Sequence, residues 1–541
     1  MKLAVRSLIL LAVLGSAFAH AQNPAIQHII IVVQENRTPD DLFQDPNLVA
    51  AGADIVPKST GGKCGSVSVP LIPRPLSDCV NPNHNHNLGW VRSYDSGNMD
   101  GACKESYGSF TSGCKPLLAC PNGNYPHCPQ YAYVDNSIQA GTPIQPYWDI
   151  AEKYGFANYM FQTSQGPSFP AHQFLLSGTS APDGTQVPLY TTFAAENMGK
   201  NNGINPMEDA GCAASSGQQV LLVYPDKSES VSTYPCFEHP TLTDLLDNNQ
   251  PSPITWRYYG DQANSIWTAP NAINHLCNNT TKDGGGNCGS SKTGSQDWNN
   301  NVSPYLEGTT RGNPPTPTLA PFLYDLQNCD LAQVTWVIPD GRWSDHASQN
   351  IGLGPDYVAN IVNAVGGTGP PANNCGFWNN TVILIVWDDW GGWYDHVNPA
   401  IPSGPGIGYP NQTGGQYVYG FRVPLLVVST FAKPHYISSP LGSKIPIYYD
   451  FGSILNFIEE TFLPPKTFID PAYPYADQFV TFGINDLTDF FGCFTQACQN
   501  PFQPITLVPS SSCSQSTCTS NQCDAICFIN YKGKHLDPDD E

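Results

Sequence analysis

The chain has 541 residues and a formal net charge of -22, while only 13% of its residues are charged. Its length allows one large domain or two modest ones, and its 48 glycines and 50 prolines favour an ordered protein with long, rigid loops. The acidity excludes nucleic acids and anionic membranes as general partners unless a local patch or a bound cation reverses the field.

The first 21 residues have the pattern of an export signal. Lys2 and Arg6 precede a short apolar stretch at 8–18, and Ala19-His20-Ala21 forms a small-x-small cleavage site. We favour cleavage after this site over an uncleaved anchor, because the stretch is too short to span a bilayer comfortably. No other stretch is apolar for long enough, so we expect a secreted or periplasmic protein without a transmembrane segment.

Eighteen cysteines follow the export signal, an even number that favours disulfides in an exported protein. Eight of them lie in loop-like sequence: Cys64, Cys79, Cys103, Cys114, Cys120, Cys128, Cys277 and Cys288. Four crowd into the tail: Cys513, Cys518, Cys523 and Cys527. A zinc site is the alternative for the tail, but its spacing lacks paired C-x2-C motifs. We therefore divide the chain into a main domain at 22–490 and a cysteine-rich appendage at 491–541.

Buried strands and helices alternate along the main domain. Apolar runs that predict strands lie at 28–33 (HIIIVV), 334–338 (VTWVI), 382–387 (VILIVW) and 423–429 (VPLLVVS). Helical patterns lie at 147–154, 241–246, 357–364 and 452–462. The alternation predicts an α/β fold with a mostly parallel sheet between helices. Polar stretches at about 45–130, 190–235 and 265–320 are expected to be loop insertions on this frame.

Two of these strands end directly in oxygen-rich side chains. Glu35 and Asn36 follow the first run closely, and Asp388 and Asp389 follow the third. Ligands of open α/β sheets bind beyond the carboxyl ends of the strands, and adjacent carboxylates there need a cation or a proton to neutralise them. The alternative for each pair is a solvated loop position. Together they predict one divalent metal site, with Mg, Ca or Mn favoured by oxygen ligands and Zn or Fe by added imidazole.

Several blocks resemble a bacterial phosphoesterase family that includes non-specific phospholipase C enzymes and a related acid phosphatase. They lie at 35–43 (ENRTPDDLF), 97–101 (GNMDG), 166–172 (GPSFPAH), 387–397 (WDDWGGWYDHV) and 420–424 (GFRVP), in the order typical of the family. The resemblance implies a three-layer α/β/α sandwich like that of alkaline phosphatases. It also implies that the divalent metal is bound by Glu35, Asn36, Asp388, Asp389 and the nucleophile.

The resemblance assigns the nucleophile to Ser168, where many relatives have threonine. Without it, serine in this Gly-Pro-Ser-Phe-Pro segment would be an ordinary turn residue. His172 stands where relatives usually carry asparagine, which affects the expected substrate contacts but not the reaction type. Further departures from the family blocks are Pro39, Asn98 and Ala102.

Histidines near the strand ends are expected to bind phosphate or donate protons. His84 and His86 share one loop, and spacing does not decide between them. His346 follows the second strand run and resembles a family histidine, with Asp345 beside it as a substrate contact. His275 is a weaker candidate. For His396 a role in loop packing is favoured over catalysis.

The resemblance therefore implies a phosphate-ester hydrolase, possessing either phospholipase C-like activity on diesters, including phospholipids, or acid phosphatase activity on monoesters. One alternative is a non-catalytic exported binding protein, which is disfavoured because the carboxylates and the hydroxyl are all present. Another is a sulfatase, but the 168–172 segment lacks the arginine of the sulfatase motif. The metal, the disulfide pairing and the oligomeric state are left open by the sequence.

Overall fold

The computed structural model describes residues 25–507 with internal gaps. The gaps are 78–79, 106, 110–127, 137–143, 184–192, 195–209, 216, 224–228, 230, 261, 279–287, 289–293, 307–320, 342, 348–351, 369–373, 400–418, 472–474 and 483. The expected export signal, the loop cysteines Cys79, Cys114 and Cys120, and the four tail cysteines therefore lie outside the described residues.

A seven-stranded sheet forms the centre of the protein, in the order β12-β13-β1-β14-β15-β8-β16. Its strands are β1 (His28–Gln34), β8 (Gly155–Ala157), β12 (Trp256–Tyr259), β13 (Val334–Val337), β14 (Thr381–Trp387), β15 (Leu425–Ser429) and β16 (Tyr436–Ser438). Only β15 runs antiparallel to its neighbours, so the predicted mostly parallel sheet is confirmed.

The four predicted strand runs all belong to this sheet, whereas β8, β12 and β16 were not predicted. The central strands β1 and β14 are buried along almost their whole length, which explains their continuous apolar runs. The three missed strands have only three or four residues each, too few for a periodic signal.

Ten α-helices accompany the sheet in the described part of the chain. They are α1 (Pro39–Leu42), α2 (Pro46–Ala50), α3 (Val91–Tyr94), α4 (Gln145–Lys153), α5 (Ser168–Ser177), α6 (Leu242–Asn248), α7 (Asn274–Cys277), α8 (Pro321–Gln327), α9 (Gly354–Val365) and α10 (Phe451–Phe462). The four predicted helices correspond to α4, α6, α9 and α10. None of the ten meets the length and apolarity needed to cross a membrane.

Helices cover both faces of the sheet. Ile31 of β1 pairs with Trp336 of β13 and with Leu384 of β14, so Trp336 and Trp387 point to opposite faces. Trp336 donates a hydrogen bond to the carbonyl of Leu175 in α5, whereas Trp387 packs edge-on against Tyr147 of α4. The core therefore has two sides, with α5 and α10 packed together on one and α4 and α9 on the other.

Short strands and disulfide-distance cysteine pairs organise the segments between the main elements. The remaining strands are β2 (Gly62–Cys64), β3 (Val67–Val69), β4 (Ile72–Arg74), β5 (Val80–Pro82), β6 (Tyr107–Ser109), β7 (Ala132–Val134), β9 (Phe193–Ala194), β10 (Val220–Val223) and β11 (Val231–Thr233). The described cysteine pairs are Cys64–Cys103, Cys212–Cys236, Cys277–Cys288, Cys329–Cys375 and Cys493–Cys498. They agree with the expectation of disulfide-rich insertions.

Candidate active site

The two polar strand ends lie side by side. Gln34 and Trp387, the last residues of β1 and β14, are paired in the parallel register, so Glu35 and Asp388 leave the sheet at the same edge. The backbone N–H of Asn36 donates to Asp388 Oδ1 at 3.0 Å, and Glu35, Asp388 and Asp389 are all completely buried. Asn36 has a positive φ of 61°, a conformation that asparagine tolerates better than most residues.

The Gly-Gly turn after Asp389 allows this close approach. Gly391 and Gly392 both have positive φ, at 63° and 72°. A Cβ on Gly391 would lie 2.2 Å from the carbonyl oxygen of Asn36, and one on Gly392 would lie 2.6 Å from Pro82. Glycine at these two positions therefore lets the turn after β14 pack against both the Asn36 backbone and the loop that carries His84.

Helix α5 delivers the predicted nucleophile. Ser168 is its first residue, and the hydroxyl lies 3.3 Å from Glu35 Oε2 and 3.4 Å from Asp389 Oδ2. His172 is one helical turn further on, so its ring points to the same side. Its Nε2 lies 3.1 Å from Glu35 Oε1 and 3.6 Å from Asp388 Oδ2. The structure thus brings His172 to the carboxylates, where the sequence suggested a substrate contact.

Burial makes this group of acids electrostatically costly. Burial and the negative charge of Asp389 raise the pKa of Glu35 to about 8, and burial together with the charge of Glu35 raises the pKa of Asp388 well above its usual range. Burial lowers the pKa of His172 to about 4, so its imidazole is neutral at pH 7. The group therefore favours a neutralising charge from outside, either a proton or a cation.

The donor set fits a divalent cation. Glu35, His172 and Asp388 each offer a ligand atom, and these atoms lie within 4.8 Å of one another. In the described part of the chain, no hydrogen-bond partner reaches the buried Asn36 Oδ1, whereas Asn36 Nδ2 contacts His84 Nε2 at 2.9 Å. Carboxylate and amide oxygens with one neutral imidazole suit Mg, Mn, Zn or Fe.

The structure separates the four predicted histidines. His84 contacts Asn36, and its ring centroid is 5.8 Å from that of His346, so these two lie together beside the carboxylates. His86 is instead held by Glu229 at 3.1 Å and by Gln165 at 3.2 Å. His275 pairs with the carboxylates of Glu238 at 2.7 Å and Asp244 at 3.3 Å. The geometry thus favours His84 and His346 as site histidines.

Asp345 is held by residues of the core. Its Oδ2 accepts hydrogen bonds from Tyr147 at 2.8 Å and from Trp387 at 3.0 Å. Gln34 accepts a hydrogen bond from the Asp345 backbone N–H and donates one to the carbonyl of Trp343, both at 3.0 Å. These contacts favour a positioning role for Asp345, whose loop carries His346 to the end of β14.

A second buried network connects the sequence blocks at 35–43, 387–397 and 420–424. Arg422 binds both carboxylate oxygens of Asp395 at 2.9 Å, and its Nη1 donates to the backbone carbonyls of Asp54 and Asn158 at 2.9 Å. His396 bridges Asp40 at 2.8 Å and Asp54 at 3.1 Å. Asp40, Asp395 and His396 have the spacing of a metal site, but Arg422 already supplies a positive charge there. These contacts agree with a packing role for His396.

Sequence reasoning missed His172 as a candidate metal ligand. A helical reading of 168–177 would have indicated His172, because its spacing of four residues from Ser168 puts both side chains on one helix face. Trp267 lies between two site histidines, with ring centroids 6.5 Å from His172 and 6.0 Å from His346.

Comparison with known proteins now identifies the family. The sequence matches the phosphoesterase family over residues 26–463, and the chain belongs to this family of hydrolases acting on phosphate esters. This confirms the family resemblance drawn from the sequence blocks.

Relatives in this family are named as phospholipases C. The chain is 22% identical over 439 residues to phospholipase C B of Mycobacterium tuberculosis, covering 75% of this chain and 69% of that protein. It is 29% identical over 154 residues to non-hemolytic phospholipase C of Burkholderia pseudomallei, covering 26% of this chain and 20% of that protein. A match to non-specific phospholipase C6 of Arabidopsis thaliana has 28% identity over 145 residues, covering 25% of this chain and 26% of that protein. The last two matches thus span about a fifth to a quarter of those relatives.

Proposed function

We propose that the protein is a metal-dependent phosphodiesterase with phospholipase C-like specificity and that Ser168 is its nucleophile. The main support is the position of the Ser168 hydroxyl, which lies within 3.4 Å of both Glu35 and Asp389 at the first turn of a buried helix. A hydroxyl at a helix N-terminus is close to backbone N–H groups that favour negative charge on the oxygen and on an incoming phosphate.

In the proposed reaction, Asp389 accepts the proton of Ser168 Oγ through Oδ2, which lies 3.4 Å from the hydroxyl. The oxygen attacks phosphorus in line with the leaving alcohol, so that the Oγ–P bond forms as the P–O bond to the alcohol breaks. His346 protonates the leaving oxygen. The same histidine then deprotonates a water, whose oxygen bonds to phosphorus as the Oγ–P bond breaks, and the carboxyl protonated in the first step returns its proton to Ser168 Oγ.

One divalent cation is proposed to be held by Glu35, Asn36, His172, Asp388 and Asp389. When bound, such a cation stabilises negative charge on phosphoryl oxygens and lowers the pKa of a nearby hydroxyl. The side chains that surround it have separate tasks: Asn36 also orients the ring of His84 through its Nδ2, and Trp267 packs beside His172 and His346.

The diester preference rests on the relatives named as phospholipases C and on the aromatic side chains near His84. Trp90, Trp390 and Phe421 form one apolar cluster, and the Trp390 ring centroid is 6.2 Å from that of His84. Aromatic rings are suitable neighbours for a quaternary ammonium head group such as choline. Phospholipids with this head group are the proposed substrate class.

We further propose an alkaline-phosphatase-like three-layer arrangement and a secreted or periplasmic location. Helices on both faces of a mostly parallel sheet support the first, and the disulfide-distance pairs and the sequence of residues 1–21 support the second. The division into a catalytic domain at 22–490 and an appendage at 491–541 also remains a proposal.

Hydrolysis of p-nitrophenylphosphorylcholine and p-nitrophenyl phosphate by the purified protein, each with and without chelator, tests the function. We expect faster turnover of the choline diester and its loss with chelator, followed by recovery when one of Mg, Mn, Zn, Fe or Ca is added. Preference for the monoester would make the protein an acid phosphatase. Turnover of neither compound with any of these metals would contradict the catalytic proposal.

A further inference from the structure

One surface loop exposes large apolar side chains. In the loop at 440–446, Ile445 is 82% exposed and Leu441 is 57% exposed, the highest values among large apolar residues in the described part of the chain. Single exposed apolar residues are common on protein surfaces. Two such residues four positions apart on one short loop are more unusual, and exposed apolar residues that occur together mark membrane or protein contacts.

The loop lies at the same edge of the sheet as the candidate active site. It follows β16, which runs parallel to β8, and β8 and β14 are both antiparallel to β15. The carboxyl ends of β16, β14 and β1 therefore face the same way. Leu441 and Ile445 thus extend from the edge at which Glu35 and Asp388 leave their strands.

Hydrogen bonds fix the base and the turn of the loop. Ser443 donates its backbone N–H to the carbonyl of Pro440 at 2.9 Å, and Ile447 donates its own to Ser439 Oγ at 2.6 Å. Leu441 donates its backbone N–H to Gly52 at 2.9 Å, although its side chain remains exposed. A surface with a fixed backbone loses less entropy on binding than a flexible one.

The same anchor connects the loop to the scaffold around the site. Asn158 donates to the carbonyls of Ser439 at 2.9 Å and Gly52 at 3.0 Å, and its own carbonyl accepts from Arg422 at 2.9 Å. Arg422 is the centre of the buried network that holds the Asp395-His396 segment, which follows β14. The loop and the site therefore belong to one continuous hydrogen-bonded framework.

We propose that the 440–446 loop docks the protein on a zwitterionic phospholipid surface by inserting Leu441 and Ile445 among the lipids. This inference rests on the proposed function, since a phospholipid-cleaving site has to reach substrates packed in an aggregate. The charge of the protein favours zwitterionic lipids. The net charge of -22 opposes anionic surfaces, and Lys444 is the only charged residue of the loop, which therefore lacks the cluster of basic residues that binds anionic lipids.

The test compares three forms of the metal-loaded protein: wild type, the double variant Leu441→Ser/Ile445→Ser and the control Leu221→Ser. Leu221 is 40% exposed and lies on β10, outside the loop. Binding is measured by cosedimentation with phosphatidylcholine vesicles and with vesicles containing phosphatidylglycerol. Hydrolysis of soluble p-nitrophenylphosphorylcholine is measured in parallel.

We expect the double variant to bind phosphatidylcholine vesicles about tenfold or more weakly, because two side chains lose their apolar transfer free energy. Its hydrolysis of the soluble diester should stay unchanged, the control should behave as wild type, and phosphatidylglycerol should weaken wild-type binding. Unchanged vesicle binding in the double variant, an equal loss in the control, no wild-type binding, or stronger binding to anionic vesicles would each overturn the docking proposal.

The two proposals fail separately. If wild type does not cleave the soluble diester, the proposed function is wrong, while cosedimentation still decides whether the loop binds lipid. If the double variant loses turnover of the soluble diester to the same extent as vesicle binding, the loop supports the site itself and the docking proposal is overturned.

Discussion

Ser168 is the residue on which the proposed chemistry depends. Replacing it with alanine should lower turnover of the soluble diester by at least about 10³-fold, as removal of a nucleophile does in other hydrolases. Ser177→Ala is the matched control, because Ser177 is also buried in α5 and its hydroxyl has no hydrogen-bond partner among the described residues. Steady-state kinetics and circular dichroism distinguish lost chemistry from lost fold. Wild-type turnover in Ser168→Ala would assign the nucleophile elsewhere.

His396 should make stability depend on alkaline pH. Although burial alone would lower it, the carboxylates of Asp40 and Asp54 raise the pKa of His396 to about 10 from the ordinary value of about 6.5. Its stabilising contribution is therefore complete below pH 6.5 and is lost as the pH rises through about 10. Asp40 has a lowered pKa, owing to His396 and Arg422, so its contribution is lost only as the pH falls into the acid range.

Urea unfolding between pH 6 and pH 10.5, compared for wild type and His396→Asn, measures this dependence. The free energy of unfolding of wild type should fall across this range, and the fall should be shallower in the variant. The exposed His435, replaced by asparagine, is the control and should leave the wild-type slope unchanged. Parallel curves for wild type and His396→Asn would contradict the assignment.

At the scale of elements, the turn after β14 determines how closely two strand ends approach. Gly391→Ala should reduce metal content and stability, because its Cβ would lie 2.2 Å from the Asn36 carbonyl oxygen. Gly65→Ala separates this clash from backbone strain. Gly65 has a similar φ of 57°, against 63° at Gly391, and apart from its two chain neighbours no described residue has an atom within 4 Å of the added Cβ. The control should lose on the order of 1 kcal/mol of stability and no metal.

Elemental analysis after metal loading and urea unfolding provide the two measurements for this pair of variants. Full metal content in Gly391→Ala would contradict the prediction, because it would show that metal binding does not require the close approach of the Gly391 turn to Asn36.

The elements also show which features could be predicted from sequence. Runs such as 382–387 predicted their strands because burial on both faces leaves no polar position. Helix α5 escaped prediction for a related reason: all ten of its residues are buried, so it has no polar face, and it begins with Ser-Phe-Pro. The choice between His84 and His86 depended on tertiary contacts with Asn36 and Glu229, which no local spacing encodes.

At the scale of the whole molecule, cross-links compensate for long connections. Cys329 and Cys375 have a sequence separation of 46 and lie before β13 and β14. Replacing both with serine should lower the free energy of unfolding by about 2–4 kcal/mol, through the restored entropy of the unfolded chain. Urea unfolding of oxidised wild type and variant measures the difference. The variant and wild type should have the same free energy of unfolding only after the Cys329–Cys375 pair of wild type is reduced. Equal free energies under oxidising conditions would contradict the prediction.

The position of β1 has a consequence for the order in which the protein matures. β1 is the first strand of the described residues, yet it pairs with β13 and β14, and the contact between Asn36 and Asp388 joins residues 352 positions apart. During synthesis the two halves of the ligand set first coexist when nearly three quarters of the chain has been made. Contacts of such long range form late, because a large loop has to close first. Under the proposed metal assignment, capture of the cation would be a late event of biogenesis, because only a chain with its central sheet assembled holds both parts of the ligand set.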